Sequence, residues 1–196
     1  RHFLTNPSGS LRKLSIKDIH MPFPESTGII CFASIFVFPE IGPAELRTIF
    51  KKAKEQGKLV CADMTKRKNG ETVKDLSLAL EYVDYLIPND EEAMLLTGKD
   101  TVEEAAAELR GAGVSHVVIK CGSRGCYLDC CQEKTWIPAE KDVVCLDTTG
   151  AGDSFTAGFL YALSEGKSVR DCAKQGNRWG AKAVSAMGAT EWLSGM

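Results

Sequence analysis

Apolar residues along the chain follow two alternating rhythms. Short aliphatic and β-branched runs at residues 28–33, 58–62, 85–87 and 116–120 read as strands. Between them, apolar positions recur every three or four residues. Leu46, Ile49, Phe50 and Ala53 share one helical face, and Ala105, Ala106, Leu109 and Ala112 share another. Thr101 with Glu104 three residues on forms a capping box that opens the second of these helices. Such alternation predicts an α/β domain with a largely parallel sheet. From residue 125 onward the pattern changes to hairpin-like strands at 125–129 and 134–137, with another strand expected at 143–145. Two helices close the chain. The first runs from near Gly152 to about Ser164. The second carries Val169, Cys172, Ala173, Gly176, Gly180, Ala183, Val184 and Met187 on one stripe, whose small residues predict close packing. The first 27 residues stand apart: a strand-like run at 2–5 leads into a Pro-, Ser- and Gly-containing stretch with no helix.

The 196 residues, 44% of them hydrophobic, suffice for one sizeable core with a small appendage. A formal charge of −2 gives the chain no electrostatic footprint for nucleic acid or an anionic membrane. No apolar run approaches the roughly 18 residues of a spanning helix, and the opening RHFLTNPSGS lacks the design of a secretory signal. A cytoplasmic chain is expected. Its eight cysteines include Cys121, Cys126, Cys130 and Cys131 in one short region, without the paired C-x₂₋₄-C spacing of a zinc site. Reduced structural thiols are the expectation, with Cys130 and Cys131 in an exposed turn.

The segment richest in chemistry is Asp147-Thr148-Thr149-Gly150-Ala151-Gly152-Asp153-Ser154-Phe155-Thr156-Ala157-Gly158. A glycine-rich turn entering a helix exposes backbone N–H groups at the positive end of the helix dipole, which suits a phosphate. An aspartate in the first turn can accept a proton from an attacking hydroxyl, or can simply complement the dipole. Two other nucleotide and hydrolase motifs fail here. Gly166-Lys167-Ser168 would end a P-loop, but Tyr161 stands where its first glycine belongs. Ser123 would sit in a nucleophile elbow, but Cys121 replaces the first glycine.

The string DTTGAGDSFTAGF closely resembles the second signature of the PfkB/ribokinase family of sugar kinases. That resemblance implies an anion hole from Gly150, Ala151 and Gly152, with Asp153 as catalytic base. Asn89 and Glu92, in Pro88-Asn89-Asp90-Glu91-Glu92, match the family's N-x-x-E motif, which organises Mg²⁺ through water; the same pair also reads as a helix cap. Lys120, Gly122 and Gly125 resemble the segment lining the nucleotide, with Arg124 a weaker match. Lys120 is either a phosphate contact or a solvated lysine. Asn177 matches a position beside the adenine or is an exposed helix asparagine. Asp147 and Thr149 match positions for a monovalent cation, K⁺ by its chemistry, with carbonyls near Ala183, Ala186 and Gly188. Trp192 stands where another ligand is expected.

The resemblance implies a ribokinase-like three-layer α/β/α sandwich with a mostly parallel central sheet, incomplete here. Residues 1–27 would be a β-lid remnant and connection, and residues 28–196 the nucleotide-binding, phosphoryl-transfer part. The residues that grip the sugar would lie upstream. ATP and Mg²⁺ are the implied cofactors, a small sugar the implied partner, and association or a homodimer through an uncovered sheet edge is expected. A non-catalytic nucleotide-binding remnant, or a nucleoside or vitamin kinase of the same fold, remain alternatives.

Overall fold

A computed structural model describes residues 9–195. After two short 3₁₀ turns, Ser10–Arg12 and Ile16–Asp18, the chain enters a regular alternation. The order is β1 (Ile29–Ile35), α1 (Pro43–Glu55), β2 (Leu59–Met64), α2 (Val73–Leu80), β3 (Tyr85–Leu86), α3 (Asp90–Thr97), α4 (Val102–Gly111) and β4 (His116–Lys120). A hairpin of β5 (Cys126–Cys130) and β6 (Lys134–Ile137) follows, and α5 (Ala151–Ser164) and α6 (Val169–Val184) end the fold.

Local chemistry fixes several helix starts. Pro43 occupies the first turn of α1, while the Glu45 carboxylate accepts the Gly42 N–H at 3.0 Å. At the start of α2 the Asp75 carboxylate likewise accepts the Thr72 N–H, at 2.7 Å, and also the Thr72 hydroxyl, at 2.8 Å. Thr101 Oγ1 accepts the Glu104 N–H at the start of α4, as the sequence predicts.

The strands lie in one sheet in the order β1-β2-β3-β4-β5-β6. The first four pair in parallel, and β5 and β6 extend the sheet antiparallel. Alternate side chains of each strand feed different cores. Val60, Ala62, Val117 and Ile119 pack with Leu46, Leu76, Ala93 and Leu109 of α1 to α4. Cys61, Val118 and Leu128 pack with Phe155, Phe159 and Cys172 of α5 and α6. The result is three layers, helix over sheet over helix. The two closing helices approach tightly: a Cβ on Gly158 would lie 2.9 Å from the Gln175 carbonyl, and one on Gly176 would lie 2.9 Å from the Phe155 ring.

Several expectations change. Residues 143–145 form no strand, as no strand among the described residues lies beside them to pair with; Val144 is 70% exposed, and the N–H groups of Leu146 and Asp147 donate to the Val184 carbonyl. Met187 lies beyond the end of α6 and is exposed, so the buried stripe stops at Ala183. Cys130 is the buried last residue of β5, and only Cys131 of that pair is exposed. The strand expected at 2–5 lies outside the described residues. No helix among the described residues is long and apolar enough to cross a membrane.

Candidate active site

Open parallel sheets present their functional groups where the strands end. At this edge, Asp63 is the penultimate residue of β2, Asn89 follows β3, and Lys120 closes β4. The Lys120 N–H donates to the Pro88 carbonyl at 2.8 Å, and an isolated parallel bridge joins Asn89 to Lys120. The backbone thus brings two of the expected site residues side by side.

The Gly150 turn sits over this edge. Gly150 has φ of 75°, a left-handed conformation that glycine adopts without the Cβ penalty, and it caps α5. A side chain there would also strike Ala189, whose Cβ would be 2.8 Å away. The Ser154 N–H starts the helical ladder by donating to the Gly150 carbonyl. The N–H groups of Gly150, Gly152 and Asp153 find no acceptor among the described residues, as expected of a helix N-terminus. Ala151 departs from expectation: its N–H closes the turn by donating to the Thr148 carbonyl at 3.2 Å, so it is not aimed outward. The Asp153 carboxylate is exposed and makes no hydrogen bond or ion pair with a described residue.

Lys120 reaches from β4 across β3 towards β2. Its Nζ contacts Asp63 Oδ2 at 2.5 Å, and both side chains are largely buried. A Cβ built on Gly152 would stand 3.6 Å from that same Nζ. The ammonium therefore lies against the start of α5. Burial excludes the solvated-lysine alternative for Lys120.

Asn89 and Glu92 cap α3 reciprocally. Asn89 Oδ1 accepts the Glu92 N–H at 2.8 Å, and Glu92 Oε2 accepts the Asn89 N–H at 2.9 Å. Each N–H occupies only one lone pair of its acceptor oxygen, so capping and hard-oxygen ligation through water are compatible. Gly125, with φ of 90°, has no room for a side chain: a Cβ would lie 2.1 Å from the Ile137 carbonyl. Gly122 is also left-handed, with φ of 57°, but open space surrounds its Cβ position. Arg124 turns to Asp90 at 2.9 Å and lies over the Trp136 ring. Cys121, beside this turn, is a buried thiol that burial pushes up to about 12, so it is no nucleophile at neutral pH.

Residues 2–194 match the family model described as pfkB family carbohydrate kinase. The chain belongs to that family. Over 161 residues, or 80% of the chain, it is 32% identical to a cytidine kinase of Thermococcus kodakarensis, covering 56% of that protein. Over 177 residues, or 83% of the chain, it is 30% identical to a 2-dehydro-3-deoxygluconokinase of Dickeya dadantii, covering 55% of it. Its fold matches a Vibrio cholerae fructokinase solved with fructose, ADP and calcium, at a TM-score of 0.80 and 26% identity over 98% of this chain and 65% of that one. The chain thus spans about half the length of these curated pfkB-family relatives.

Around this pfkB-family edge, the Asp147 carboxylate staples two loops. Its Oδ1 accepts the Thr149 N–H and hydroxyl, and its Oδ2 accepts the Gly188 N–H at 2.8 Å. Those bonds to Thr149 and then Gly188 hold Asp147 below its ordinary carboxylate value. Trp192 offers an indole N–H and no lone pair for a cation. Asn177 is buried rather than exposed, and its side-chain amide donates to the carbonyls of Ile137 and Pro138, tying α6 to the end of β6. A groove of about 750 Å³ opens next to it, between Asp142 and Val144 on one side and Arg178, Ser185 and Trp192 on the other.

Asp63 escapes a reading of the motifs, since it belongs to none of them. A signal was present: a lone carboxylate ends the apolar run Leu59-Val60-Cys61-Ala62, at the end of a parallel strand where ligands bind.

Proposed function

We propose that the chain is the phosphoryl-transfer part of an ATP-dependent kinase acting on a sugar hydroxyl. The observation that carries this reading is the start of α5, where an exposed Asp153 carboxylate and outward backbone N–H groups lie beside the Lys120 ammonium. Asp153 takes the proton of the acceptor hydroxyl as its oxygen attacks the γ-phosphorus. The bond from that phosphorus to the bridging oxygen breaks, and ADP leaves with the electron pair. The Gly150 and Gly152 N–H groups, with Lys120, hold the phosphoryl oxygens as charge shifts onto them. Asn89 and Glu92 would hold Mg²⁺ through water, and the metal would offset phosphate charge. Gly122 and Gly125 shape the turn beneath the phosphates. The groove beside α6, of about 750 Å³, would take the nucleoside of ATP, with Asn177 behind its wall. Asp147 and Thr149 hold the loop where a monovalent cation such as K⁺ would bind through carbonyl oxygens.

A sugar is the preferred acceptor, given the 2-dehydro-3-deoxygluconokinase and fructokinase relatives; the cytidine kinase relative supports a nucleoside as the second reading. Among the described residues β1 pairs only with β2, so its outer edge is where further strands or a second copy would add. The test is the complete protein incubated with Mg-ATP and a panel of sugars, keto-acids and nucleosides. ADP release with one sugar is expected. Nucleotide binding without turnover on any acceptor would overturn the catalytic reading and favour a nucleotide-binding remnant.

A further inference from the structure

Asp63 is 7% exposed, and every described bond to its carboxylate leads towards the start of α5 or back into β2. Its Oδ1 accepts the Met64 N–H at 2.8 Å. Its Oδ2 accepts from the Lys120 ammonium at 2.5 Å and from the Thr156 hydroxyl at 3.2 Å. Three elements therefore brace one carboxylate: β2 carries it, β4 brings the ammonium, and the second turn of α5 brings the hydroxyl. Gly152 also stands beside the ammonium: a Cβ there would be only 3.6 Å away.

We propose that Asp63 is a positioning residue that holds the Lys120 ammonium against the phosphoryl-binding turn and acts on the transfer only through it. This rests on the kinase reading given above. A lysine stem is flexible and its ammonium is a point charge, so a fixed placement needs an external partner. A buried ion pair is a weak source of stability, because desolvation offsets its attraction. What the pair supplies instead is preorganisation: the positive charge is already in place when the phosphoryl group moves. Asp63 also partly neutralises Lys120. Removing its charge therefore leaves ground-state attraction for ATP undiminished or stronger, while the ammonium loses its alignment with the transition state.

These opposed effects give a readout that a purely structural role would not produce. In the complete protein, Asp63→Asn is expected to lower kcat by ~10- to 100-fold with KM for ATP unchanged or lower. Lys120→Met should lower kcat and also raise KM for ATP. The double variant should fall no further in kcat than Lys120→Met alone, since Asp63 acts through that lysine. Should Asp63→Asn fail to fold, Thr156→Val decides: it matches the threonine in shape, removes one brace on the carboxylate, and should lower kcat several-fold with nucleotide affinity unchanged. An unchanged kcat in these variants, additive losses in the double variant, or a raised Mg²⁺ requirement in Asp63→Asn would overturn the inference and leave the kinase reading standing. Wild-type protein without turnover on any acceptor would sink that reading, and this inference with it.

Discussion

Gly152→Ala separates folding from function at the centre of the proposed site. Gly152 lies in the first turn of α5 with an ordinary helical backbone, and a Cβ there would meet only Lys120 Nζ at 3.6 Å and Cε at 3.9 Å, normal contact distances. The substitution therefore fits, and it restricts the unfolded chain. A gain of about 0.4–1 kcal/mol is expected, which for a chain of this size raises Tm by about 1–4 °C. The same methyl occupies the space between the α5 amides and the ammonium, where the phosphoryl oxygens would lie. Displacing the phosphoryl group from one such donor costs on the order of 10²-fold in kcat, or about 3 kcal/mol. Thermal unfolding and calorimetry with Mg-ATP on the purified chain, followed by turnover in the complete protein, measure both effects. A variant that is more stable and transfers phosphoryl groups poorly supports the reasoning. A more stable variant with undiminished nucleotide binding and turnover would refute it, because no phosphate could then approach Gly152 closely. Gly150→Ala makes the contrast: its φ of 75° and the 2.8 Å approach to Ala189 predict a loss of both stability and activity.

Gly158→Ala tests the packing that aims α5. Its Cβ would lie 2.9 Å from both the Gln175 carbonyl and Trp179 Cγ, so a destabilisation of ~1–3 kcal/mol is expected in chemical denaturation, and an unchanged midpoint would contradict the close α5–α6 approach. The Asp147 staple predicts a pH response of known sign. Its carboxyl is held below the ordinary value of 3.8 by the Thr149 N–H and hydroxyl and the Gly188 N–H. Its contribution is therefore complete above that value and is lost as pH falls through the lower folded one. The protection of the Gly188 amide, its exchange rate relative to the intrinsic rate of an unprotected amide at the same pH, should fall only in that acid range, and a loss of protection near neutrality would point to a different partner.

Much of the fold was legible because each βα unit obeys a simple rule of periodicity. Every internal strand of the parallel region is a short apolar run, and the faces of α1 and α4 follow the spacing of Leu46 to Ala53 and of Ala105, Ala106 and Leu109, while Ala112, the last residue of that spacing, caps the end of α4 and is only half-buried. α2 does not stand out in the periodicity, although Thr72 and Asp75 mark its start, since its eight residues are too few for a strong period. Residues 143–145 mislead for a different reason: β-branched composition says nothing of whether a neighbouring strand exists, and here the Val184 carbonyl takes the N–H groups that follow. The site divides in the same way. Gly150, Gly152 and Asp153 are adjacent in sequence, so their shared turn could be read directly. The partnership of Asp63, Lys120 and Thr156 spans 93 residues between its ends and arises only when β2, β4 and α5 meet. The inward direction of Asn177 could not be read either, since it depends on where the end of β6 falls against α6.

In the proposed transfer everything depends on Asp153 removing the proton of the acceptor hydroxyl. Asp153→Asn in the complete protein, with ATP affinity and turnover measured side by side, tests it most directly. Nearly unchanged nucleotide binding is expected, with turnover reduced by at least ~10². Turnover within a few-fold of the parent protein would contradict it.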